Sequence, residues 1–99
     1  MRRPLLSEDE ILAHLTRLPE WTRDGGVISR TYRFADFALA MEFVNQVAET
    51  AESVDHHPDI DIRYGKVTLA LTTHNSRGLT LNDVDLAAAC DGFAEGIKP

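Results

Sequence analysis

A long helical pattern that stops at a proline is the feature of this sequence that most constrains its fold. Apolar residues recur at helical spacing from Phe37 to about Val54. Pro58 cannot continue a helix, and it biases the residue before it away from helical backbone angles. The adjacent His56 and His57 are therefore expected at a corner between a helix and a strand, with their rings pointing in different directions.

Alternating apolar and polar residues predict two β-hairpins, one on each side of the central helix. Their turns are expected at Gly25-Gly26 and at Gly65-Lys66. The predicted strands cover residues 21–24, 27–34, 60–64 and 66–74. Because the strands of a hairpin are antiparallel, Asp59 and His74 should lie close together at the open end of the second hairpin. This would bring His74 back beside the two adjacent histidines.

Two capping-box patterns mark the first and last helices. Ser7 is followed three residues later by Glu10, and Thr80 by Asp83. One interpretation of Asp83 is that it only caps the N-terminus of the last helix. The predicted order is α-β-β-α-β-β-α, an α+β fold with one antiparallel sheet and helices on one face. We expect residues 1–99 to form a single domain.

Size and charge exclude several classes of protein. The 99 residues carry a formal net charge of −6, which argues against a nucleic-acid or anionic membrane partner. No apolar stretch is long enough to span a membrane, so we expect a cytoplasmic protein. The single cysteine, Cys90, excludes an internal disulfide and is interpreted as a small buried residue. The small core and the narrow polar stripe of the central helix predict a homo-oligomer.

The titratable side chains are concentrated around the proline corner. Three imidazoles, those of His56, His57 and His74, suit proton transfer, a pH switch or a metal site. Glu52 precedes His56 by four residues, a spacing that makes side chains neighbours on a helix, so we expect these two to pair. Asp55 is a second carboxylate beside the histidines.

A spaced set of residues in the second half of the chain resembles the signature of the pterin-4a-carbinolamine dehydratases. The set is Glu52-x3-His56-His57-Pro58-x5-Tyr64-x9-His74-x8-Asp83. The similarity extends to Trp21, to Phe34-x-Asp36-Phe37 and to Gly78-Leu79-Thr80, and so covers nearly the whole chain. It implies a four-stranded antiparallel sheet with three helices on one face. It also implies dehydration of 4a-hydroxytetrahydropterins to quinonoid dihydropterins, with neither a metal nor another cofactor.

The resemblance also implies roles for individual residues. His56 and His74 would share the acid and base roles, and His57 would mainly bind and orient the substrate, which makes all three catalytic. Glu52 and Asp83 are expected to lie behind the residues that contact the substrate. As a separate hypothesis from the chemistry of these residues, Glu52 and Asp55 would hold one imidazole oriented and cationic. The residues implied to contact the pterin are Asp55, His56, His57, Thr72, Thr73, His74 and Asn75. The implied partners are a small pterin substrate, an aromatic amino-acid hydroxylase linked by function, and further copies of the chain in a homodimer or homotetramer.

Two positions depart from the animal forms of this family. Ile60 stands where those forms have an aromatic residue, and Asn75 stands where they often have an acid.

Two other functions are compatible with the sequence. Three histidines and a carboxylate could bind zinc and activate water, although the side chains of adjacent histidines diverge. An oligomerising module could instead bind another protein through the apolar surface of the central helix.

Overall fold

The computed structural model describes residues 3–97 and contains one four-stranded sheet and three helices. The sheet is antiparallel throughout, with strand order β1-β2-β4-β3. The predicted element order and fold class are confirmed. The elements are α1 (Glu8–Thr16), β1 (Thr22–Asp24), β2 (Val27–Arg33), α2 (Phe37–Val54), β3 (Asp59–Arg63), β4 (Lys66–Leu71), a 3-10 turn (His74–Ser76) and α3 (Leu81–Gly96).

Local side-chain caps fix where the helices begin. The Ser7 hydroxyl accepts a hydrogen bond from the Glu10 amide at 3.1 Å, and the Glu10 carboxylate accepts one from the Ser7 amide at 2.7 Å. This is the predicted capping box of α1. The Asp36 carboxylate accepts a hydrogen bond from the Leu39 amide at 2.9 Å and starts α2.

The hydrophobic core lies between the helices and one face of the sheet. Along β4, buried side chains alternate with partly exposed ones, as expected for a strand covered on one face. Cys90 is fully buried in α3, as predicted. The fully buried core members are Ile28, Ala40, Phe43, Val47, Val67, Leu69, Leu71, Ala87 and Cys90.

The second hairpin turns one residue earlier than predicted. Tyr64 and Gly65 form the turn, and Lys66 is already the first residue of β4. Tyr64 takes a left-handed backbone conformation, with φ of 54°. A Cβ at Gly65 would lie 2.5 Å from the carbonyl oxygen of Phe34, so this position requires glycine.

The prediction that the fourth strand reaches His74 is wrong, because β4 ends at Leu71. The chain then folds back on itself. The Thr73 amide donates to the Gly78 carbonyl at 2.9 Å, and the Gly78 amide donates to the Thr73 carbonyl at 3.3 Å. This pair closes a tight loop that carries His74 in its 3-10 turn, so the loop rather than a strand sets the position of that imidazole.

The turn of the first hairpin supports this loop. The Thr72 hydroxyl donates to the Gly26 carbonyl at 2.6 Å. A Cβ at Gly26 would lie 3.1 Å from the Gly78 Cα, so the two segments pack backbone to backbone. Among the helices within residues 3–97, none is both long and apolar enough to cross a membrane.

Candidate active site

The corner after α2 depends on one residue with left-handed backbone angles. Asp55 has φ of 52° and ψ of 46°, and its amide donates to the Glu52 carbonyl at 3.4 Å. The His56 amide reaches back to the Ala51 carbonyl at 3.1 Å. This hydrogen bonding satisfies carbonyls of the last turn and ends the helix. His56 therefore leaves the helical path.

This corner overturns the expected pairing of Glu52 with His56. The Glu52 carboxylate instead contacts Nε2 of His57 at 2.5 Å. The i,i+4 spacing would have joined Glu52 to His56 only if the helix continued, and Asp55 prevents that. The His57 side chain is 54% exposed and that of Glu52 is 78% exposed, so this pair lies in water at the rim.

The imidazole of His56 is held by Asp83. Nε2 of His56 lies 2.6 Å from Oδ1 of Asp83. The His56 side chain is only 10% exposed, and that of Asp83 is fully buried. Asp83 also closes the predicted capping box of α3, where its Oδ2 accepts the Thr80 amide at 2.9 Å. The interpretation that Asp83 serves the helix N-terminus alone is therefore wrong, because one carboxylate serves both groups.

Two buried threonines complete the surroundings of this carboxylate. The Thr73 hydroxyl donates to Oδ2 of Asp83 at 2.7 Å, and it lies 2.8 Å from the Thr80 hydroxyl. A buried carboxylate is costly unless donors satisfy it. Here the Thr73 hydroxyl and the Thr80 amide donate to it, and Nε2 of His56 lies within hydrogen-bond distance. Residue spacing gave no signal for the contacts of Thr73 with Asp83 and with Thr80, because they arise from the loop that brings Thr73 back toward α3.

The three predicted catalytic histidines line a single cavity of about 230 Å³. The predicted return of His74 to the two adjacent histidines is confirmed. A larger cavity of about 560 Å³ lies between β2 and the end of α3, and its described lining includes no histidine. The smaller cavity is lined by all seven residues expected to contact the substrate: Asp55, His56, His57, Thr72, Thr73, His74 and Asn75.

Trp21 and Tyr64 lie outside the lining of this cavity. Trp21 is buried, and its Nε1 donates to Oδ1 of Asp91 at 3.0 Å. The same oxygen accepts from Arg30 at 2.8 Å and from the Tyr32 hydroxyl at 2.5 Å. Burial, reinforced by the bond to Asp91, raises the pKa of Tyr32 far above its usual range. The cluster ties α3 to the sheet, a packing role that sequence spacing did not reveal.

The chemistry available in the histidine cavity is proton transfer. Imidazole titrates near neutral pH and can act as acid or base. Within residues 3–97, no three His, Cys, Asp or Glu side chains are grouped so that they could hold a metal ion.

The family model for pterin 4 alpha carbinolamine dehydratase matches residues 4–93 of the sequence. The chain belongs to this family. The membership confirms the predicted family and the predicted enzyme class, the hydro-lyases. The pterin dehydratase family thus accounts for most of the chain, including every residue of the cavity.

Two bacterial relatives illustrate the similarity of this family member to curated proteins, and both are named "Putative pterin-4-alpha-carbinolamine dehydratase". The protein of Chloroflexus aurantiacus is 53% identical over 88 residues, which cover 89% of this chain and 95% of that protein. The protein of Nocardia farcinica is 49% identical over 94 residues, which cover 95% of this chain and 99% of that protein.

Solved structures of pterin dehydratases and related proteins show the same fold. The transcriptional coactivator/pterin dehydratase of Brucella melitensis superimposes with a TM-score of 0.88 and 34% identity, covering 91% of this chain and 98% of that one. A pterin dehydratase-like protein described as a RuBisCO assembly factor gives a TM-score of 0.64 and 20% identity, covering 75% of this chain and 86% of that one. The second likeness concerns the fold alone.

Proposed function

We propose that this protein dehydrates a 4a-hydroxytetrahydropterin to the quinonoid dihydropterin and water by acid–base catalysis with histidines. One observation carries the proposal: the cavity gathers His56, His57 and His74 from a helix corner and a separate loop. Family membership supplies the reaction class. The names of the bacterial relatives support the same activity.

The reaction needs two proton transfers. The bond between C4a and the hydroxyl oxygen breaks, and an acid gives its proton to the departing hydroxyl to form water. A base removes the proton from N5, and the electrons left on N5 form the new C4a=N5 double bond. In the proposal His56 and His74 share these roles, and each contributes on the order of a hundred- to ten-thousandfold.

Other residues of the cavity bind and orient the pterin. His57 contacts the substrate from the rim, where the Glu52 carboxylate holds its ring. Asp55 and Asn75 supply polar groups to the lining of the cavity. Pterin rings carry several ring nitrogens and an amino group, which such side chains can recognise.

The proposal extends to the setting of the reaction. The enzyme acts in the cytoplasm on the product of an aromatic amino-acid hydroxylase and so recycles the tetrahydropterin. It functions as a homodimer or homotetramer. Exposed apolar side chains on α2, including Phe37 at 51% and Val54 at 56% exposure, support association.

The second candidate is a non-catalytic oligomerising module that binds another protein. The same exposed side chains of α2 favour it, and one fold relative is described as an assembly factor. A module of this kind has no need for a cavity that unites three histidines, and we therefore rank it second.

The test is the dehydration rate of a 4a-hydroxytetrahydropterin generated in situ, with and without a metal chelator. The proposal predicts that folded wild-type protein accelerates the reaction equally in both conditions. Loss of the acceleration with chelator would favour the zinc mechanism. No acceleration by folded protein would favour the interaction module.

A further inference from the structure

The buried Asp83 carboxylate determines which nitrogen of His56 carries a hydrogen. An ionised carboxylate can only accept hydrogen bonds. Its Oδ2 already accepts from the Thr73 hydroxyl and the Thr80 amide. Oδ1 lies 2.6 Å from Nε2 of His56, so that nitrogen is the donor.

The hydrogen bonds among the threonines run in one direction. The Thr80 hydroxyl oxygen accepts from the Asn82 amide at 3.1 Å, and its own hydrogen is free to point to the Thr73 oxygen 2.8 Å away. The Thr73 hydrogen then points to Asp83. The chain of donors therefore ends on the carboxylate that holds His56. The hydroxyl hydrogen of Thr73 is engaged in the bond to this carboxylate.

We propose that Thr73 is a positioning residue that acts through Asp83 to keep His56 in the Nε2–H tautomer, which leaves Nδ1 of His56 for proton transfer with the substrate. This inference rests on the proposed function for its catalytic consequence. It replaces the contact with the pterin that the family resemblance implies for Thr73.

Burial supports this role for Thr73. Its relative exposure is 7%, and its hydroxyl has partners on both sides within the protein. A Thr73 hydroxyl that donated to the substrate would have to give up the bond to Asp83, and this would leave a buried carboxylate oxygen short of a donor. Holding the carboxylate is therefore the role that the contacts favour.

The test compares Thr73→Val, which keeps the shape but removes the hydroxyl, with Thr73→Ser, which keeps the hydroxyl. The first readout is the tautomer of His56, measured by long-range proton–nitrogen NMR spectra above neutral pH without substrate. The second is the separation of kcat from KM in the dehydration assay. Thr31→Val is the control, because its hydroxyl contacts Thr68 at an exposed position on the sheet.

We expect the wild type to show Nε2–H at His56 and Thr73→Val to show a mixture of tautomers. In Thr73→Val, kcat should fall about tenfold with little change in KM, because one hydrogen bond to a charged group is lost. Thr73→Ser should restore both the tautomer and kcat. The pH profile of kcat should change in Thr73→Val and remain unchanged in Thr31→Val.

Three results would overturn the inference. These are a wild-type His56 with its hydrogen on Nδ1, an unchanged tautomer and kcat in Thr73→Val, or a rise in KM alone. A wild-type His56 with its hydrogen on Nδ1 overturns the inference even if Thr73→Val does not fold. A protein without dehydratase activity, but with a tautomer that depends on Thr73, would contradict the proposed function and still support the link between Thr73 and His56.

Discussion

Oδ1 of Asp83 lies 2.6 Å from Nε2 of His56, although 27 residues separate the two in the chain. The other oxygen of the same carboxylate accepts the Thr80 amide at the first turn of α3. The start of a helix and the orientation of a candidate catalytic imidazole thus depend on one buried side chain. Changes at Asp83 should therefore affect stability and activity together.

Asp83→Asn should lower both the free energy of unfolding and kcat. Removing the charge weakens three hydrogen bonds to a buried group, and we expect a stability loss of about 1–3 kcal/mol with a roughly ten- to hundredfold lower kcat. Urea unfolding and the dehydration assay measure the two effects. Asp85→Asn, at an exposed position of α3, is the control and should change neither. Full activity of Asp83→Asn would contradict the assigned role.

Glu52→Gln should change substrate binding more than stability. The Glu52–His57 pair is exposed, and exposed ion pairs contribute about 0.2–1 kcal/mol, so KM should rise by at most roughly fivefold. The melting temperature should stay near that of the wild type. Glu49→Gln, at another exposed position on α2, is the matched control. A large fall in kcat with unchanged KM would instead give Glu52 a role in the chemical step.

Gly26→Ala should impair the site from a distance. Its Cβ would lie 3.1 Å from the Gly78 Cα in the loop that carries His74, so either the loop or the hairpin turn must shift. We expect a severalfold lower kcat, since small displacements of a catalytic group are costly.

Gly92→Ala is the control for this glycine substitution. Its Cβ would meet no described atom within 4 Å beyond its own helix, and alanine should stabilise α3 by about 0.5–1 kcal/mol. Unfolding curves and activity separate the two variants. An unchanged activity of Gly26→Ala would show that the hairpin turn does not set the position of His74.

The Cys90 thiol should be unreactive in the folded protein. Burial, reinforced by the nearby Asp91, raises the pKa of this thiol to about 12. Because the thiolate is the reactive form, a disulfide reagent at pH near 8 should label Cys90 only after unfolding by urea. Rapid labelling under native conditions would mean that α3 opens readily or that the thiol is accessible.

Patterns confined to a few residues could be predicted from the sequence. The capping boxes of α1 and α3 need only partners three residues apart, and both form as predicted. The alternation along β4 matches a strand with one buried face, whereas β1 and β3 are exposed at every position. The grouping of His74 with His56 followed from the hairpin and from the family signature.

The errors concern places where a single backbone conformation redirects the chain. The left-handed Asp55 sends His56 away from Glu52, and residue type alone did not reveal it. Similarly, β4 stops at Leu71 because Thr73 pairs with Gly78, a contact within an irregular loop. Tertiary contacts such as Thr73 with Asp83 could not be read from spacing, since they depend on how the loop packs on α3.

The dehydration rate of a 4a-hydroxytetrahydropterin with wild type, His74→Gln and His14→Gln tests the central claim most directly. His14 lies on α1, outside the cavity, and is the matched histidine control. With chelator present, histidine acid–base catalysis predicts an active wild type, an unchanged His14→Gln and a roughly hundredfold or greater loss in His74→Gln. A folded His74→Gln as fast as the wild type would contradict it.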